Sequence, residues 1–437
     1  MIRLLVATVF ATSLAAPAPA PDAIDRLAAD SGLPGLTVTV TKDDRVLHAK
    51  GYGHDSTGAP MTADTPMRLA SVSKSFIATA VMTLVDAHEI NLDRPIVDQL
   101  PEFRLADPRA ARITVRQLLN QTSGMADSTT DIPRTWTAKS LRDMVKTLDT
   151  ATLATDPGRQ FHYHNPNYGT AARLVETVSG QPFPDYLRDH VLTPLGMTSH
   201  DRVEDGYAEV YGTWVARPEL PHFDGDLVVS TANDMARWLI AQQGKGPRLL
   251  SDESLRTLHT PPGDGTYAMG WGVETPEEGH ERLTHSGNLF TYTAAQAIVP
   301  DTGYGFAVMT NSTALNDSAY ALMESLIALS EGRSPTSTPP LWLFDLGIGL
   351  ATLGFGALGV RGVRRAGVKR SPWRIAPPVL AAVPLLGYPA FVAFLSNGRT
   401  VTWAQLLYVS TPLVVLLAVL ALAGTATAVA RLVAWSR

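Results

Sequence analysis

The sequence predicts an α+β domain followed by three transmembrane helices. Short alternating apolar–polar runs lie near both ends of the stretch before Ser334, helical periodicities fill the space between them, and three long apolar runs occupy the rest of the chain. Strands contributed by both ends, with helices inserted between, form a sheet with a cleft at the junction.

Taken in order, Leu36–Thr41 alternates, Lys42-Asp43-Asp44 offers a turn, and Arg45–Ala49 continues outward, so Gly35–Tyr52 reads as a β-hairpin. A helix starting around Ser71–Ser73 comes next. Its apolar positions Phe76, Ile77, Ala80, Val81, Leu84 and Val85 repeat with the period of an amphipathic helix. Further helices are expected at Val115–Leu119, Ser140–Thr147, Gly169–Val178, Phe183–Val191 and Thr231–Gln242, the last capped by Ser230 or Thr231. Strand patterns return at Thr291–Val299 and Gly305–Thr310 around an Asp301-Thr-Gly turn, and a helix at Ser318–Leu329 closes the domain.

Charge divides the chain at the same place. Of 36 Lys/Arg and 41 Asp/Glu residues, nine basic and one acidic lie from Ser334 onward, leaving the front strongly acidic and the tail basic. An acidic front without basic clusters argues against a nucleic-acid partner. The absence of cysteine excludes disulfides, thiol nucleophiles and Cys-ligated zinc.

Met1-Ile2-Arg3, the apolar run to Ala16 and the Ala16-Pro-Ala-Pro-Ala20 stretch have the layout of a secretory signal, expected over residues 1–20, with an uncleaved anchor as the alternative. Leu341–Val360, Ile375–Leu395 and Val401–Ala430 are each long enough to cross about 30 Å of hydrocarbon. Buried core helices would be the other explanation, but between the first two runs Arg361–Arg374 carries six positive charges and no negative one, the mark of a cytoplasmic loop. The expected organisation is therefore a signal (1–20), an exported domain (21–333), a Pro/Ser-rich tether (334–340) and a membrane region (341–437). The protein is expected in the plasma membrane, multi-pass, with its N-terminal domain outside the cytoplasm and residues 341–437 in the bilayer.

Three short motifs could carry chemistry. In Ser71-Val-Ser-Lys74, a serine at a helix start and a lysine three residues on share one face, so the amine can take the hydroxyl proton. Alone, the same pair also fits a capping serine and a solvated lysine. Tyr163-His164-Asn165, in a loop before Pro166, supplies a phenol and an amide. His162 and His164 raise a metal option, but neither an H-E-x-x-H motif nor an acidic–His cluster accompanies them, and no metal or cofactor is expected. His285-Ser286-Gly287, ahead of the strand at Thr291, could hold a substrate carbonyl or carboxylate.

Together and in this order, the motifs resemble those of the serine β-lactamase and penicillin-binding protein superfamily, whose signature is S-x-x-K with S-D-N and K-T-G. The similarity is to the class C-like branch, where Y-x-N replaces S-D-N, and which includes D,D-carboxypeptidases, D-aminopeptidases and esterases. Ile113–Met125, Asn165–Gly169, Pro194–Met197, Val229–Trp238 and Met269–Gly272 also resemble that branch, so the likeness runs from about Asp22 to Glu331.

The resemblance implies an antiparallel sheet flanked by helices with a helical subdomain. It implies that Ser71 forms an acyl-enzyme, that Lys74 and Tyr163 share its proton, that Asn165 binds the substrate amide, and that the backbone N–H groups of Ser71 and Asn288 form the oxyanion hole. His285, with Ser286 and Gly287, stands where the signature has lysine. A permanent cation for a β-lactam carboxylate is therefore missing, which favours peptide, amide or ester substrates and turnover that varies with pH through His285. The leading expectation is a serine hydrolase acting on cell-wall type D-amino-acid peptides. An esterase or β-lactamase of the same fold, and an acylated membrane sensor without turnover, are the alternatives.

Overall fold

The computed structural model describes residues 19–223, 225–335, 341–368 and 374–436. The signal segment, most of the tether and the centre of the basic loop fall outside the described residues.

Six strands form the main antiparallel sheet: β1 (Gly35–Lys42), β2 (Arg45–Gly53), β3 (Gly272–Glu274), β4 (Arg282–Leu289), β5 (Tyr292–Val299) and β6 (Tyr304–Thr310), in spatial order β2-β1-β6-β5-β4-β3. Both chain ends of the domain thus meet at its centre, where β1 pairs with β6 from Leu36 opposite Thr310 to Lys42 opposite Tyr304. On one face, Leu36, Val38 and Val40 pack with Ala297, Phe306 and Val308 beneath α1 (Pro21–Asp30) and α5 (Ser318–Ser330). The opposite face carries the larger core, with α2 (Ser73–Asp86), α3 (Asn165–Ser179) and α4 (Ala232–Gln242). Alternation in β1 fits this two-sided cover: Thr37, Thr39 and Thr41 are buried too, and Thr39 Oγ1 donates to the Ala232 carbonyl at 2.9 Å.

Four sequence expectations change. First, α2 is buried on all sides over most of its length and not only on one face: every residue from Ser73 to Met82 is buried. Its polar side chains are matched internally, Ser73 Oγ accepting from Val228 N (2.9 Å) and Ser75 Oγ from Gln296 Nε2 (2.9 Å), so polarity does not mark a wet face. Gln296 Oε1 also accepts from Trp238 Nε1 at 3.0 Å, and Trp238 stacks on Phe76 with centroids 3.7 Å apart. Second, α3 starts at Asn165, four residues earlier than expected, because Pro166 falls in its first turn, where a missing N–H costs nothing. Third, His285-Ser286-Gly287 lies inside β4 and not ahead of the first C-terminal strand.

Fourth, the third apolar run is not one helix. It divides into α8 (Trp403–Val409) and α9 (Thr411–Ser436), broken at Ser410 just before Thr411-Pro412. Proline fits readily in the first turn of a helix, where its missing N–H is not needed, so the break falls immediately upstream. Among the described residues, three helical stretches are long and apolar enough to cross a membrane: Leu343–Arg364 within α6 (Leu341–Arg364), Ala376–Leu395, which contains α7 (Val383–Leu395), and Thr411–Ser436. Gly359 and Gly362 let α6 and α9 approach, since a Cβ there would meet Ala423 and Thr427.

Candidate active site

Ser71 sits in a single 3₁₀ turn, Ala70–Val72, that leads into α2. Ala70 holds φ at +48°, a left-handed conformation uncommon for alanine, of the kind that persists only when its surroundings enforce it. The enforcing element is β4. A Cβ placed on Gly287 would lie 2.6 Å from both Leu69 O and Ser71 N, so only glycine lets this strand press against the serine's turn. From the other side Gly270, with φ +81°, closes on the backbone of Lys74 and Ser75.

Lys74, one turn beyond the serine and 5% exposed, places Nζ 3.1 Å from Ser71 Oγ. Two tyrosine rings flank the amine, Tyr163 at 4.9 Å and Tyr168 at 5.6 Å from their centroids. The loop Asn120–Met125 holds Tyr163 in place. Gln121 accepts His162 N through its carbonyl (2.9 Å), and His164 N (3.0 Å) and Asn167 Nδ2 (2.6 Å) through Oε1, while Ser123 Oγ donates to Asn167 Oδ1. His164 between them points inward, fully buried, and gives its Nδ1 to Asp127 at 2.8 Å. Burial lowers the His164 pKa, so the neutral ring is the donor.

The edge of β4 completes this side. Strand β3 pairs only with Arg282–Thr284, leaving His285 to Leu289, among the described residues, without a strand neighbour beyond β4. Asn288 is exposed on that open edge, next to the glycine that touches the serine's backbone. Its position suits a two-donor oxyanion hole made of two backbone N–H groups.

His285 differs from expectation. It is 7% exposed, its Nδ1 lies 2.7 Å from the Ser286 carbonyl and its Nε2 3.0 Å from Tyr267 Oη. A carbonyl can only accept, so Nδ1 carries the proton and Nε2 accepts from the tyrosine. Burial, reinforced by the charge of Lys74, pushes its pKa down to about 3. The ring is therefore neutral in this structure, which weighs against turnover titrating through His285. Ser286 bonds to Asp317, whose carboxyl is raised by burial and whose side chain also caps α5 at Tyr320 N.

Ser71, Lys74, Tyr163, Asn165, His285, Ser286, Gly287 and Asn288 all line one cavity of about 770 Å³, within the usual size of a small-molecule site. Tyr267, Asp317 and Arg399 line it as well and were not found from sequence. Only Tyr267 carried a hint, two residues before the Met269–Gly272 stretch.

With this geometry in view, the comparison with known sequences decides the family. The profile described as beta-lactamase matches residues 20–328. The chain belongs to the beta-lactamase family. Penicillin-binding protein 4 of Amycolatopsis lactamdurans is 37% identical over 180 residues, covering 40% of this chain and 46% of that one. The chain spans 60% or less of the length of such curated relatives. Among solved structures, the octameric penicillin-binding protein homologue from Pyrococcus abyssi superposes with a TM-score of 0.61 at 24% identity, covering 75% of this chain and 80% of that one. D-amino acid amidase from Ochrobactrum anthropi SV3 superposes with a TM-score of 0.58 at 24% identity, over 69% and 94% of the two chains. Both share the fold of this beta-lactamase family domain.

Proposed function

We propose that this beta-lactamase family hydrolase is a membrane-anchored, extracytoplasmic serine enzyme that cleaves D-amino-acid peptides or amides through a Ser71 acyl-enzyme. The observation that carries the reading is the 3.1 Å contact of Lys74 Nζ with Ser71 Oγ at the start of a buried helix, facing an open strand edge. Ser71 Oγ attacks the scissile carbonyl while its proton passes to Lys74 and Tyr163. The oxyanion accepts from the N–H groups of Ser71 and Asn288, and the amine leaves with a proton from the same relay. Water then adds to the ester, and Ser71 recovers its hydrogen. Each oxyanion donor contributes about 2.7–4 kcal/mol to such a step.

Support for D-amino-acid substrates comes from the structural likeness to a D-amino acid amidase. The neutral His285 supplies no permanent charge for the carboxylate of a β-lactam, so a cephalosporin is expected to be a poor substrate. The six positive charges of Arg361–Arg374 support a cytoplasmic position for that loop and an outer one for the catalytic domain.

The test is intact mass after exposure to a fluorescent penicillin or a phosphonate. A single adduct is expected on the parent and none on Ser71→Ala. Adducts equal on both proteins would overturn the mechanism. Turnover of a D-Ala-D-Ala peptide, a short-chain ester and a chromogenic cephalosporin then ranks the substrates.

A further inference from the structure

The cavity around Ser71 is closed on one side by the membrane region. Arg399 Nε donates to Asp127 Oδ2 at 2.9 Å, Thr400 N donates to the same oxygen at 2.9 Å, and the Arg399 guanidinium lies 4.7 Å from the Tyr163 ring centroid. Further along, Tyr408 packs against Phe290 at the β4–β5 turn with centroids 5.4 Å apart, and Arg217 Nη1 donates to the Leu407 carbonyl at 2.7 Å. The loop after the second apolar helix and the C-terminal end of α8 are thereby fastened to the domain beside the cavity that Ser71 lines.

Two parts of the chain consequently line the cavity. The domain contributes polar Ser71, Lys74, Asn165 and Ser286, and the membrane region contributes apolar Val392, Val401, Leu406 and Val409 beside Thr400 and Gln405. Val392 belongs to the membrane-length helix Ala376–Leu395 itself, so the cavity reaches the hydrocarbon-matched part of the chain. Trp403, exposed a few residues beyond the end of that helix, is of the residue type that collects at a headgroup layer. Arg399 also stands just past the end of that helix; its Nε is committed to Asp127, while among the described residues its terminal nitrogens have no hydrogen-bond partner. A polar cluster around Ser71, a cation just past the end of a membrane-length helix and an apolar wall continuous with that helix fit an amphiphile lying in a bilayer.

We propose that the substrate is a bilayer-borne amphiphilic amide or ester, its apolar chain lodged against Val392, Val401 and Leu406 and its scissile carbonyl reaching Ser71. The inference rests on the hydrolase reading above and adds the substrate class. Residues 392–409 are then part of the substrate site and not a mere anchor.

The experiment uses the full chain in phosphatidylcholine nanodiscs with p-nitrophenyl esters of N-acetyl- and N-hexadecanoyl-D-alanine, which share one scissile bond. Ser71→Ala measures the background. For the parent, kcat/KM is expected to favour the long-chain ester by roughly 30-fold or more, and the rate to fall as added phospholipid dilutes that ester. In Val392→Asn and Leu406→Asn the preference should shrink at least about fivefold, toward that of simple partitioning. The ratio is internal to each preparation, so a misfolded fraction cancels, and Val392, half-buried, keeps the test alive if Leu406→Asn does not fold. A parent ratio near one, or a ratio unchanged in the variants that fold, overturns the proposal. Absence of Ser71-dependent turnover of either ester overturns the hydrolase reading and the proposal with it; Ser71-dependent turnover without chain preference removes the proposal alone.

Discussion

The floor of the cavity and its roof are held by opposite means. The floor, the Ser71 turn against β4, is fixed by backbone: a strained Ala70, a glycine with no room for a methyl group, and a buried helix whose polar side chains are all used. The roof, residues 396–409, hangs from a few side-chain contacts centred on Asp127, Phe290 and Arg217. Close packing leaves no slack for volume change, whereas polar tethers can be exchanged singly. The difference teaches where the molecule tolerates change: little around the backbone-locked Ser71 turn, more in residues 396–409.

The sharpest way to break the contrast is Gly287→Ala. Its new methyl would meet Leu69 O, Ser71 N and the Ala70 Cβ within 2.9 Å, two of them backbone atoms that cannot swing aside. Displacing the strand edge by even part of an ångström from the serine is expected to cost about 100-fold in kcat/KM, with destabilisation of about 1–3 kcal/mol. Gly354→Ala in α6, where a methyl meets nothing within 4 Å, should leave both unchanged. Kinetics and thermal melts of the pair decide it; equal behaviour would mean that the floor yields as easily as the membrane helix.

A smaller effect is expected from pH. Because His285 is pushed down to about 3 in the folded protein, it binds fewer protons there than in the unfolded chain between pH 3 and 6.5. Its contribution to stability is therefore full above about pH 6.5 and fades as pH falls toward 3. In His285→Gln this acid-side loss should be reduced, as read from melting temperatures between pH 4 and 7. For the parent, kcat/KM should show no limb assignable to His285 between pH 5 and 8.

The cluster around Ser71 was legible because its spacing is local: Ser71 and Lys74 are one helical turn apart, and Tyr163 and Asn165 straddle an inward-pointing histidine. The hairpin Gly35–Tyr52 and the closing helix were legible for the same reason, each being a periodic pattern with a turn or cap beside it. The features that stayed hidden depend on contacts made across long stretches of chain. Arg399 meets Asp127 from 272 residues away, and no periodicity announces such a pair. Hydropathy read Val401–Ala430 as one run, although Pro412 stands near the place where α8 departs from α9. Ser73, Ser75 and Thr79 made α2 look two-sided, because polarity reports a side chain's chemistry and not whether a buried partner awaits it.

The smallest effect expected lies where the domain meets the first apolar helix, and it sharpens the comparison by testing a polar joint directly. Glu209 bonds to Asp345, and Gly212 N donates to both, at 2.7 Å and 3.1 Å. Burial, then the bond to Asp345, pushes Glu209 up to about 7. The joined state therefore binds more protons than the separated one from about pH 4.5 to 7, so its stability is greatest at the acid end and declines as pH rises through 7. Glu209→Gln keeps an acceptor and a donor in place without the titration. It should flatten that slope, measured as protease susceptibility of the domain–membrane junction in nanodiscs between pH 5 and 8. A slope that survives the substitution would place the sensitivity elsewhere, and the joint would then be held as firmly as the floor.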